Sequence, residues 1–287
     1  SPYAYFNEHC IFLDQKHIPM IINQQTLINL VDIEKQLPEY FVGSNADLPI
    51  VGGSMLAHEH YQGGRHIFPM MKAKIKKEIY FEKYPEVKAG IVDWPMSDLR
   101  LISKNSLDLI DLGSKIINFW DHYSDPARQV KAFEGNSKHH TVTPIMHREG
   151  DRFILDLVLR DNNTSDEYPL GIFHPHAELW HIKKENIGLI EVMGRAILPG
   201  RLKGELEEVK KYLLNQDNRI ADSHLDWARK LKADSQITKE NVDSILQQAL
   251  VEIFDQVLEC AGVFKNNEDG EVGWQKFTDA LISEVDR

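Results

Sequence analysis

Between Asn23 and Lys35 the apolar residues fall at Leu27, Leu30, Val31 and Ile33, a helical stripe opened by a capping asparagine and closed before Pro38. The same spacing runs through Leu107, Ile110, Leu112, Ile116, Ile117 and Trp120, predicting a second amphipathic helix ahead of a polar loop over 121–129. Runs rich in β-branched and aromatic residues predict strands near 3–13, 40–43, 58–69, 74–81, 87–92, 99–103, 142–146 and 153–160. The long apolar run Ile187–Leu198 reads as one more strand, followed by a helix over 203–214. After Gln216 the pattern turns polar and helical, with amphipathic helices near 239–260 and 272–285. The order predicts an α+β protein built from antiparallel sheet units with flanking helices. The expected division is a first unit over 1–125, a degenerate second copy over 126–216 and a helical region over 217–287.

Bulk properties narrow the class. A chain of 287 residues, 42% hydrophobic and 27% charged, can bury a substantial core. Its net charge of −11 argues against a protein that coats nucleic acid or an anionic membrane. Two cysteines, Cys10 and Cys260, far apart in sequence, make no disulfide scaffold and fit a reducing cytoplasm. There is no run of about 18 apolar residues to span a bilayer, and no signal peptide is visible. Asn266-Asn267-Glu268-Asp269-Gly270 has the look of a calcium loop. Lys265 and Lys276 stand where its first aspartate and closing glutamate belong, so it reads as a turn between helices.

The richest chemistry lies in His58-Glu59-His60-Tyr61-Gln62, bracketed by Gly52-Gly53-Ser54 and Gly63-Gly64. On an extended strand the two imidazoles and the carboxamide share one face, and the glycines leave backbone amides free to approach an anion. The bland alternative is a strand with a polar solvent face. Neutral imidazole can accept phosphorus and release it again. Glutamine offers only a hydrogen bond, never a proton, which suits a leaving group that departs as an anion.

H-x-H-x-Q at 58–62 is similar to the signature of the transferase branch of the histidine-triad superfamily. The surrounding text through Gly64 resembles the hexose-1-phosphate uridylyltransferase family of the Gram-positive bacterial type. So does a second block: Thr143-Pro144-Ile145, Leu155–Arg160, Ile182–Gly194 and Leu198-Pro199-Gly200-Arg201. The resemblance implies a histidine-triad-like fold and a C-terminal portion of a longer protein, since Ser1-Pro2 already matches the family's interior. It implies transfer of UMP from UDP-glucose to galactose-1-phosphate, with UDP-galactose released, through a covalent adduct on His60.

By the same resemblance Gln62 steadies the phosphoryl group, Gly53 and Ser54 supply an amide and a hydroxyl, and Asn45 faces the nucleotide. Lys183 and Asn186 are expected near the hexose-1-phosphate, and His17 with His58 would help hold a structural zinc. The alternative for the last two is a turn histidine and an orienter of His60. His174, His176 and His181 form a further cluster where related enzymes place a second metal; solvated loop histidines are the alternative. The chemistry itself requires no cofactor. Expected partners are the nucleotide sugars, the hexose-1-phosphates, an N-terminal region of the same chain and a homodimer mate across the exposed strand edge. Two other readings remain: a dinucleoside polyphosphate phosphorylase, which shares H-x-H-x-Q, and a nucleotide-sugar-binding module without turnover.

Overall fold

The computed structural model describes residues 4–53 and 55–287. Eight strands form one sheet in which every neighbouring pair is antiparallel. In chain order they are β1 (Cys10–Leu13), β2 (Phe41–Gly43), β3 (His60–Gly64), β4 (Ile75–Ile79), β5 (Lys88–Val92) and β6 (Asp98–Ser103), then, past a small hairpin of β7 (Phe133–Glu134) and β8 (Ser137–Lys138), β9 (His140–Glu149) and β10 (Arg152–Asp161). Across the sheet the order is β1-β3-β2-β9-β10-β6-β5-β4. Strands from residues 1–125 and from 126–216 thus share one sheet, with the long β9–β10 hairpin at its centre.

The helices are α1 (Gln24–Gln36), α2 (Pro69–Lys72), α3 (Ser106–Trp120), α4 (Leu189–Val192), α5 (Leu202–Leu213), α6 (Asp222–Asp234), α7 (Val242–Ala261) and α8 (Glu268–Val285). Period-two alternation sends Leu155, Leu157 and Leu159 of β10 to one face, where they pack with Leu27 and Leu30 of α1, Leu109 and Leu112 of α3 and Phe277 of α8. Val158, Ile145 and Phe41 point to the other face and pack with Met70 of α2, Leu189 of α4 and Val257 of α7. α5 and α6 close a small satellite core around Val209 and Ala228. Among the described residues no helix is long and apolar enough to cross a membrane.

The α+β architecture agrees with the sequence pattern, and several elements start where it places them. Asn23 caps α1, its side chain accepting the amides of Gln25 and Thr26. The 266–270 turn is a helix start, with the Asn267 side chain accepting the Gly270 amide at 2.8 Å. One expected strand is absent. Ile187–Leu198 is not a strand: Gly188 precedes the four-residue α4, and Gly194 at φ +98° turns the chain out of it. The Glu191 carboxylate accepts the Gly188 amide at 3.1 Å, closing that turn. The run is apolar because it is buried in the second core, which periodicity cannot distinguish from a buried strand.

Ionisable groups lie within the second face. Arg100 donates to both oxygens of Asp156, at 2.6 and 3.1 Å, and to the carbonyls of Ala73 and Met70. Burial, and next the charge of Asp156, push the Asp98 carboxyl well above its ordinary value, although Arg100 opposes them. A raised folded-state pKa means that stability present below the unfolded value, about 3.9, is lost as pH rises toward the folded one. Asp98→Asn removes that loss. We expect wild type and variant to have similar urea midpoints near pH 4 and the variant to gain steadily as pH rises. A constant difference between pH 4 and pH 8 would refute the buried-acid assignment.

Candidate functional site

β3 carries the motif, but only from His60 onward. His58 sits in a turn before the strand, its amide bonded to the Met55 carbonyl. His58 therefore stands outside the strand that carries His60 and Gln62. What His58 gives His60 is its backbone: the carbonyl lies 2.9 Å from His60 Nδ1. A carbonyl only accepts, so Nδ1 carries the hydrogen and Nε2 keeps its lone pair. The His60 ring is 3% exposed.

The strand is fixed from its other face. Tyr61 points toward α1, where its hydroxyl bonds to Glu59, and Asn29 donates to both at 2.9 and 3.1 Å. Burial first, then the Glu59 bond, push the Tyr61 hydroxyl up, so it stays protonated. With Tyr61 anchored, alternation holds His60 and Gln62 on the opposite face.

Gln62 lies 3.1 Å from His9 through its Oε1 and the His9 Nε2. The Tyr5 amide donates to His9 Nδ1, so Nε2 is the protonated nitrogen and Gln62 Oε1 the acceptor. That arrangement turns the carboxamide so that its NH2 is the end left to donate elsewhere. His9 was not legible in sequence; a histidine ahead of an edge strand has no pattern to announce it.

Gln62 opens onto a cavity of about 390 Å3, also lined by Asn45, Gly52, Gly53, Asn186 and Glu191. Two segments form its walls, residues 44–53 and 185–191, and they are locked together. Asn45 Oδ1 accepts the Leu189 amide at 2.9 Å. Gly52, at φ +83°, passes so close to the other wall that a Cβ would lie 2.3 Å from the Ile187 carbonyl oxygen. A Cβ on Gly53 would lie 2.4 Å from the Leu48 oxygen. These glycines are needed for close backbone packing as well as for lining the cavity. Gly63 and Gly64 serve packing: side chains there would strike Phe41 and Phe6.

Beneath the wall lies Arg160, 1% exposed, donating to Thr143 Oγ1 at 3.2 Å and the Ile187 carbonyl at 3.0 Å. Burial pulls its pKa down to about 10, leaving it charged at neutral pH. Sequence reading placed this arginine in a strand without giving it a role.

Asn45, Gly53, Gln62 and Asn186 thus meet at one cavity. Lys183 does not line it. Its ammonium is buried against Glu191 at 2.6 Å and donates to the Ile197 carbonyl, so it braces the wall from behind. Burial pushes the Glu191 carboxyl up, against the pull of Lys183. Ser54 lies outside the described residues.

His17 and His58 do come together, with ring centroids 4.1 Å apart. The pair supplies two donors where a structural zinc takes four, and His58 Nε2 already lies 2.8 Å from the Asp14 carbonyl. Among the described residues no group of three or more His, Cys, Asp or Glu side chains is placed to hold a metal. In the second cluster the His174 ring is bound between the Pro175 carbonyl and Asn186, and His176 bonds to the Ile172 carbonyl. Those contacts are structural. The ring nitrogens they occupy are not free donors.

Residues 33–229 match the family described as galactose-1-phosphate uridyl transferase, C-terminal domain. A galactose-1-phosphate uridylyltransferase of Lactobacillus helveticus is 77% identical over 285 residues, covering 99% of this chain and 58% of the relative. One from Pediococcus pentosaceus is 59% identical over 281 residues, covering 98% of this chain and 58% of the relative. The chain therefore spans somewhat over half the length of these relatives. Among solved structures, a DUF4931 family protein from Bacillus cereus aligns with a TM-score of 0.37 at 12% identity, over 58% of this chain and 82% of that one.

Proposed function

Because the chain belongs to the C-terminal domain family of galactose-1-phosphate uridyl transferases, we propose that it carries the covalent centre of a uridylyltransferase, with His60 as nucleophile. The observation that carries this reading is the His60–His58 contact, which leaves Nε2 as the nucleophilic nitrogen on the face it shares with Gln62. The His60 Nε2 lone pair attacks the α-phosphorus of UDP-glucose. The bond from that phosphorus to the bridging oxygen breaks, and glucose-1-phosphate leaves with the electron pair. The ring, now bonded to phosphorus at Nε2 and still protonated at Nδ1, is cationic, and the His58 carbonyl stabilises that charge. Galactose-1-phosphate then attacks the same phosphorus, the P–N bond breaks, and UDP-galactose departs. No proton has to move in either step.

Gln62 fits this economy. With its oxygen held by His9, the carboxamide presents N–H to a phosphoryl oxygen and has no proton to give a leaving group. Gln62→His should raise hydrolysis of the intermediate relative to transfer, because imidazole can shuttle protons to and from water. UMP release measured against sugar exchange tests this; an unchanged ratio counts against the role.

The substrates are completed, on this reading, by a part of the longer protein that this chain does not span. β1, at the sheet edge, pairs Leu13 opposite His60 and Ile11 opposite Gln62, so these side chains share the motif's face. They are 57% and 38% exposed, an apolar border beside the imidazole that suits cover by another segment. Uridylyl exchange assayed side by side on this chain and on the longer parent should find the chain folded but at least about 100-fold slower, for want of positioning. Equal turnover numbers would show that the candidate centre is complete as it stands.

A further inference from the structure

Away from the motif, on the same face of the sheet, lies a second cavity of about 750 Å3 at the far ends of β5, β6, β9 and β10. Its wall carries six cationic side chains, Lys72, Lys74, Lys88, Arg100, Arg148 and Arg152, against two carboxylates, Glu39 and Glu149. In a chain with a net charge of −11 this is a local reversal of sign.

Pairing within the protein engages four of the six cations and leaves Lys72 and Lys74. Arg100 and Arg148 are held by Asp156 and Glu34, which lie behind the wall. Both lining carboxylates sit in exposed pairs, Glu39 with Arg65 and Glu149 with Arg152. Lys88 reaches Glu78 on the surface, an exposed pair of little strength. Among the described residues Lys72 and Lys74 form no ion pair, and both are exposed at the mouth. His66, on the same wall, is held below its ordinary value by burial and by the fields of Arg195 and Lys72, a further sign of positive potential. Between the cations the surface is apolar: Phe41, Met71, Ile75, Ile102 and Ile154 line it.

We propose that this cavity binds a small organic phosphate whose body is apolar or aromatic, with the phosphate at Lys72 and Lys74 and the body against Met71, Ile75 and Ile102. Charge complementarity selects the anion, and the apolar wall selects against bare inorganic phosphate. The cavity is distinct from the one at Gln62: the two have no lining residue in common.

1-Naphthyl phosphate, followed by its own fluorescence, is the probe. Titrated into the 287-residue chain it should bind at least tenfold more tightly than inorganic phosphate competes. Lys72→Glu with Lys74→Glu should weaken it at least tenfold, and Lys72→Gln with Lys74→Gln by a smaller factor. These lysines are exposed, so circular dichroism should show an unchanged fold. Gln62→Ala should leave the affinity unchanged. Undiminished binding in both lysine variants, loss of binding in Gln62→Ala, or equal affinity for inorganic phosphate would each overturn the proposal. So would preferential binding of poly-glutamate, which would make the cavity a seat for an acidic protein segment.

Discussion

Replacing Asp156 by alanine is expected to cost this fold about 3–5 kcal/mol, a large part of the roughly 5–15 kcal/mol by which a domain is stable. Asp156 is fully buried on β10 and holds Arg100 through two hydrogen bonds, with His147 Nε2 3.6 Å away. Burial alone would raise its pKa, but Arg100 and His147 outweigh that and hold the carboxyl below its ordinary value. Its removal strands a guanidinium in an interior it cannot leave, since Arg100 is also bound to two carbonyls. Urea denaturation should show a lowered midpoint with an unchanged slope. Arg100→Met combined with Asp156→Leu should recover most of the loss, because no charge is then left buried. A cost below about 1 kcal/mol for Asp156→Ala would mean that water or a neighbour replaces the carboxylate.

On the proposed reading, His60→Ala in the longer parent should lower uridylyl exchange by at least about 10,000-fold, the scale seen when a covalent nucleophile is removed. The effect should fall on the chemistry rather than the fold, since among the described residues the His60 ring bonds only to the carbonyl of His58. His60→Gly leaves the space of a ring beside that carbonyl. Free imidazole should enter it and accept the uridylyl group, appearing as uridylyl-imidazole in solution. Near-normal exchange by His60→Ala would place the nucleophile elsewhere.

Local rules made much of this molecule legible. Asn23 and the stripe behind it mark α1, and the strand reading of the motif places His60 and Gln62 together because Tyr61 between them is apolar enough to face α1. Where the chain is buried on all sides, the rules run out. Ile187–Val192 carries no alternation to separate strand from turn, and its conformation is set by Asn45, Gly52 and Arg160 from distant parts of the sequence. Lys183 and Glu191 likewise look like surface charges in one dimension and prove to be a buried pair. The role of His58 turns on a backbone carbonyl, which every residue possesses and no motif can display. The cationic cavity draws its side chains from α2 and the residues after it, β5, β6 and β9–β10, so the basic stretch Lys72-Ala73-Lys74-Ile75-Lys76-Lys77 shows only part of it in sequence.

The central claim is that phosphorus is carried on His60. Intact mass spectrometry of the longer parent mixed with UDP-glucose, in the absence of a hexose-1-phosphate acceptor, tests it most directly. The account predicts a mass gain of one uridylyl group, mapped by peptide analysis to His60, discharged by galactose-1-phosphate and absent in His60→Ala. Full sugar exchange with no adduct on His60, under conditions that trap acid-labile phosphoramidates, would contradict it.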